Sequence, residues 1–172
     1  MNRVPVGRDF RCLHCGAGVS SAPFLSGVRN RNHCPYCLWS RHLDWLEPGD
    51  RLSACKGGMP PIGLTFKRVR KKSGTLSNGE LMVVHRCKDC GRVSINRIAG
   101  DDLASSLEEL FRHSLDNAEP FHSGVQTTGI RLLNASDWEE VSRRLYGEIR
   151  AFDGAADCCY DRTWNSRRED RP

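Results

Sequence analysis

Two cysteine pairs, Cys12-Leu13-His14-Cys15 and Cys34-Pro35-Tyr36-Cys37, constrain this chain more than any other feature. Two residues between paired cysteines let both sulfurs turn toward one ion. Two such pairs complete a tetrahedron with Zn–S distances near ~2.3 Å. The 18 residues between Cys15 and Cys34 fit the spacing of a two-knuckle zinc site. Gly16 supplies the left-handed exit that such a turn favours. A redox pair is the competing reading of one CxxC, but no βαβ pattern surrounds these.

A third pair, Cys87-Lys88-Asp89-Cys90, is followed by Gly91 in the same way, and Cys55 is the only other cysteine before the C-terminal tail. This set needs a fourth ligand. His85 stands two residues before Cys87, on the same face if the strand continues, and is the preferred candidate; His42, five residues after Cys37, is the alternative. The expected metal set is therefore Cys12, Cys15, Cys34, Cys37, Cys55, His85, Cys87 and Cys90, holding two structural Zn2+ ions. Four thiolate or imidazole ligands leave no position open for water, so neither ion reads as catalytic. Cys158 and Cys159 have no visible metal partner and read as exposed thiols.

Zinc also suits a chain with a thin core: hydrophobic residues make up 38% of the sequence and charged residues 27%. No apolar run approaches the ~18 residues that span a bilayer. The opening Met1–Arg8 stretch lacks the apolar region of a secretory signal. A cytoplasmic location is expected, where thiols stay reduced and serve metals before disulfides.

Along the chain, Ile62–Val69, Glu80–Arg86 and Arg92–Ile98 read as strands of an antiparallel meander. Residues 71–79 join the first two, with Asn78-Gly79 as the turn pair. From Asp101 the period changes: Leu103, Leu107, Leu110, Phe111 and Leu115 follow helical spacing behind two acids that suit a helix start. A second helix is expected from Asp137, with Ser136 and Glu139 as a capping box and Trp138, Val141, Leu145 and Ile149 along one face. The expected fold is small α+β: zinc-ribbon-like paired knuckles with short antiparallel β-hairpins, then two C-terminal helices. The domain reading is 1–102 for the two-site zinc domain, 103–156 for a helical extension and 157–172 for a disordered tail.

The stretch Arg31-Asn32-His33-Cys34-Pro35 resembles the signature that names the RNHCP family, a group of small bacterial proteins. The resemblance extends through Tyr36–Asp44, Pro48-Gly49-Asp50-Arg51, Cys55, His85-Arg86-Cys87, Cys90-Gly91, Asn96–Ala99 and Asp101-Asp102, covering roughly residues 10–102. It implies a paired-cysteine metal domain. It implies no particular activity, and nothing for the helical region.

Charge is divided unevenly. Residues 1–100 hold 17 Lys+Arg against 6 Asp+Glu, and residues 101–172 hold 9 against 15, so balances of +11 and −6 give the net +5. Lys67, Arg68, Arg70, Lys71 and Lys72 would form a basic hairpin able to contact phosphates. Arg29, Arg31, Arg41, Arg92 and Arg97 could widen the patch, and Tyr36, Trp39 or Phe66 could stack on bases. The leading reading is a zinc-stabilised module that contacts nucleic acid, RNA or the ribosome. The alternative is a protein-interaction adaptor using its ribbons and acidic helices. An enzyme reading, resting on a faint likeness of Asn32-His33 to HNH-type nucleases, comes third. It would call on Asp44, Asp50, Asp101 or Asp102 for a second metal, and the spacing ties none of them to His33.

Overall fold

A computed structural model of the chain describes residues 8–70, 74, 76–116 and 129–152. Lys71, Lys72, Cys158, Cys159 and the expected disordered tail lie outside these residues. The elements run β1 (Phe10–Arg11), β2 (Gly18–Val19), α1 (Pro23–Ser26), β3 (Ser40–Arg41), β4 (Gly58–Met59), β5 (Pro61–Arg70), β6 (Leu76–Arg86), β7 (Val93–Arg97) and α2 (Ala104–Asp116). A 3-10 turn (Ala135–Asp137) then leads into α3 (Trp138–Tyr146). This is the expected small α+β class: two short antiparallel ribbons, β1–β2 and β3–β4, beside the meander β5–β6–β7.

The meander carries the core. Leu64, Phe66, Leu81 and Val83 of β5 and β6 meet Leu107, Leu110 and Phe111 of α2 and Trp138 and Val141 of α3 in one buried cluster. Val84 instead joins Ile62 and Leu132 in a smaller one, as the two-residue period of a strand requires. The segment after residue 129 lies against β5. Leu133 N donates to Leu64 O at 2.9 Å and Thr65 Oγ1 to Arg131 O at 2.6 Å. That covers an edge strand which would otherwise present unpaired backbone groups.

Three local expectations are corrected. Asn78 and Gly79 do not form the turn: β6 already begins at Leu76, and Asn78 pairs with Arg68. Gly79 is needed for a different reason. A Cβ there would lie 2.6 Å from Lys67 O, beside the register shift between Phe66 and Arg68; glycine lets the strands approach at this irregularity. The cap of the second helical segment is Asn134 with Asp137, not Ser136 with Glu139. Asn134 accepts from Ser136 N, and Asp137 accepts from the Asn134 backbone. Leu103 and Ile149 lie outside the helices and are exposed, because the helical period ends at the caps.

Candidate metal centres

Three segments fold into the same turn. In each, the first cysteine's carbonyl accepts from the residue four places on: Gly16 N to Cys12 O (2.9 Å), Leu38 N to Cys34 O (2.9 Å), Gly91 N to Cys87 O (3.0 Å). In each, the first cysteine's N–H donates to the residue five places on: Ala17 O (2.8 Å), Trp39 O (2.9 Å), Arg92 O (2.8 Å). The residue after the second cysteine is left-handed in all three, at φ +76° (Gly16), +57° (Leu38) and +74° (Gly91). Lys56, after Cys55, has φ +50° as well. A leucine in this conformation costs about 1–2 kcal/mol. Leu38 lies in the main buried cluster, where its side chain offsets that cost.

The first centre gathers Cys12, Cys15, Cys34 and Cys37, whose sulfurs lie within 4.8 Å of one another. Cys12 to Cys37 and Cys15 to Cys34 are each 3.6 Å. A disulfide needs about 2.05 Å. A tetrahedron of sulfurs around zinc at ~2.3 Å has edges of about 3.8 Å, so the cluster has the dimensions of the metal site. Crowding also divides the protons. Hydrogen bonds from Cys34 and Cys37 hold the Cys12 thiol far below its ordinary range, and the contact with Cys12 pushes Cys34 up to about 12. Only a cation lets four thiolates share such a space.

The second centre gathers His42, Cys55, Cys87 and Cys90, again within 4.8 Å. Cys55 and Cys87 sulfurs stand 3.6 Å apart, and Cys90 Sγ is 3.2 Å from His42 Nδ1. His42 is delivered by the β3–β4 ribbon, where its N–H donates to Gly57 O at 2.9 Å, next to Cys55. Burial and the nearby Arg92 hold its pKa below the ordinary value, which favours the neutral imidazole a metal requires. Gly57 allows the close approach, since a Cβ there would sit 2.9 Å from Cys87 Sγ. Each group could hold one zinc ion, which accommodates the two expected.

His85 is not in the second centre. Its Nε2–H donates to Leu38 O at 2.7 Å and its Nδ1 accepts from Asn96 Nδ2 at 3.0 Å, so both ring nitrogens are occupied. Burial, with His33 nearby, lowers its pKa to about 3 and keeps the ring neutral. The strand-face expectation failed because β6 ends at Arg86. Cys87 already belongs to the knuckle, where alternation no longer applies.

Arg31, Asn32 and His33 also lie outside both groups. Arg31 Nη1 contacts Asp101 Oδ2 at 2.7 Å and Nη2 contacts Asp102 Oδ1 at 3.3 Å, while its Nε donates to His33 O at 3.1 Å. His33 Nε2 donates to Asp102 Oδ2 at 2.7 Å, and Ala99 N donates to the same oxygen at 2.7 Å. Asn32 donates to Asp44 Oδ2 at 2.8 Å and accepts from Arg51. This buried network fastens the start of the second knuckle to the turn before α2. Sequence reasoning missed it and assigned Asp101 and Asp102 to the helix macrodipole; the one local signal was two adjacent acids outside the helix.

The candidate basic residues divide. Lys67, Arg68 and Arg70 are exposed on β5. Arg31 is wholly buried, and so contributes to no surface patch. Of the candidate stacking residues, Phe66 and Trp39 are buried, Trp39 stacked on His14 at 4.2 Å, and Tyr36 is exposed. Asp50, a candidate for the nuclease reading, accepts from the backbone of Glu47, Trp45, Leu46 and Leu52, which holds its carboxyl well below the usual range.

The RNHCP domain profile matches residues 7–108, more than half of the chain. Neither the curated proteins nor the solved structures give a match.

Proposed function

Because the chain belongs to the RNHCP domain family, whose matched region contains both candidate metal centres, we propose that it is a zinc-stabilised binding module that contacts RNA, free or on the ribosome. The observation that carries this reading is the outer half of β5. Residues 67–70 are all exposed, and among the described residues Lys67, Arg68 and Arg70 form no ion pair. Uncompensated cations on a stiff strand suit phosphates, because each contact releases condensed counterions. The metal centres would hold this surface in shape and take no part in chemistry, being closed by protein ligands.

Replacing Lys67, Arg68, Arg70, Lys71 and Lys72 by Gln tests the reading through RNA affinity measured at several salt concentrations.

The adaptor reading loses its helical element. The apolar faces of α2 and α3 are spent on the core they share with β5 and β6, with Leu107, Phe111 and Val141 fully buried. An adaptor would have to use other surfaces.

A nuclease reading would need His33 within reach of substrate, and His33 is buried against Asp102.

A further inference from the structure

Between the β3 ribbon, the loop 42–48 and β7 lies a cleft of about 220 Å³. A second cleft of about 130 Å³ adjoins it, and the two share Asn32 and Arg41 in their walls. The larger is a groove that passes the second metal centre, since His42 lines it.

Among the described residues, two hydrogen-bond donors in this groove have no acceptor: His42 Nε2 and Arg41 Nε, both buried atoms. With Nδ1 facing Cys90 as ligand or acceptor, Nε2 carries the ring proton. A metal-bound histidine almost always donates that proton to an oxygen, and none of the described residues supplies one. A buried donor without an acceptor costs free energy, so the groove favours an occupant rich in acceptor oxygens.

The mouth of the groove adds an aromatic and a cation. Trp45 is 49% exposed, and the Arg92 guanidinium lies 5.1 Å from its ring centre. Asp44, in the same wall, is already held by Asn32 and Arg51, which leaves Arg41 and Arg92 facing Glu47. Acceptor oxygens, a planar ring and a negative charge together describe a nucleotide.

We propose that this groove binds unpaired RNA, with a base stacked on Trp45 and the neighbouring phosphate held by Arg41, Arg92 and His42 Nε2–H. The proposal rests on the RNA-binding reading above and assigns it a second contact, which takes single strands and not duplex. A base inside a duplex is already stacked on its neighbours and cannot be offered to Trp45.

The test uses the zinc-loaded full chain and fluorescent octauridylate and octaadenylate, with a duplex of the same length and free AMP as comparisons. Trp45→Ala is expected to weaken single-strand binding by about five- to 150-fold, the loss of one base–aromatic stack. Trp45→Phe, which keeps a ring, should retain most of the affinity. Arg92→Gln should weaken binding and reduce its salt dependence. Zinc content is counted on each preparation, and the Phe and Gln variants carry the test if the alanine variant misfolds.

Equal binding by wild type, Trp45→Ala and Arg92→Gln would overturn the groove and leave the basic strand to account for binding. Duplex bound as tightly as single strand, or AMP as tightly as the octamers, would overturn it too. Failure of the wild type to bind any RNA would bring down the groove and the broader reading together.

Discussion

His33 and Asp102 lie 69 residues apart in sequence and meet at 2.7 Å, with both side chains buried. Asp102 also receives Arg31 and the Ala99 backbone N–H. One carboxylate thus gathers the second knuckle and the approach to α2.

Asp102→Asn is expected to destabilise the fold by about 3–5 kcal/mol, the cost of leaving a buried guanidinium partly unpaired. Asp101→Asn should cost at most about 1 kcal/mol, because the Asp101 side chain is 37% exposed and its pairing is screened by water. Arg31→Lys should fall nearer the first, since an ammonium cannot reproduce the fork that reaches both acids. Denaturant unfolding of the zinc-loaded variants measures all three. Equal effects at positions 101 and 102 would contradict the network.

Two zinc ions per chain are expected in the purified protein. His42→Ala should reduce the count to one and abolish the S₃N spectrum of the cobalt-substituted second centre. His85→Ala should keep both ions while costing about 1–3 kcal/mol, because Leu38 O and the Asn96 amide lose their buried partner. Elemental analysis with cobalt spectroscopy separates the two histidines.

Chelation should unfold the region of the knuckles and leave residual structure, if any, in the helices. Metal affinity should fall steadily on acidification, because protons compete for the ligand thiolates and the imidazole. Circular dichroism with and without a chelator, across pH, checks both.

For the basic strand, the five-residue Gln variant should flatten the slope of log K against log salt by about 2 or more if three phosphate contacts are lost, at ~0.7–0.9 per contact. Its zinc content should not change, since Lys67, Arg68 and Arg70 are exposed and touch neither centre. An unchanged slope with unchanged affinity would mean the cations only solvate the strand.

Much of this architecture is legible in the sequence because its determinants are local. Cys12-Leu13-His14-Cys15 and its two counterparts specify their turns within six residues, and the alternation of Val93 and Ile95 against Ser94 and Asn96 marks β7 as a strand. The errors fall where the decision is made at a distance. Whether His42 or His85 completes the second centre depends on where β6 stops and on the pairing of Ser40 and Arg41 with Met59 and Gly58. Asn78-Gly79 has turn chemistry, yet the strands pair past it and use the glycine for close approach. The Arg31–Asp102 contact joins positions 71 residues apart; their spacing offers no period to read.

The two centres differ in how far the chain must travel to close them. Cys12 and Cys37, which bound the first, are 25 residues apart, whereas Cys90 reaches back 48 residues to His42 and across Cys55. During synthesis the N-terminal part of a chain is free to organise first. The first centre can load its ion as soon as Cys37 has left the ribosome, while His42 and Cys55 remain an open pair until β5, β6 and the knuckle Cys87–Cys90 have emerged. For that interval the nascent chain exposes one thiol and one imidazole with no partner, and its later assembly depends on the local supply of zinc at that moment. Scarcity of the metal should therefore yield chains closed at the first centre and open at the second.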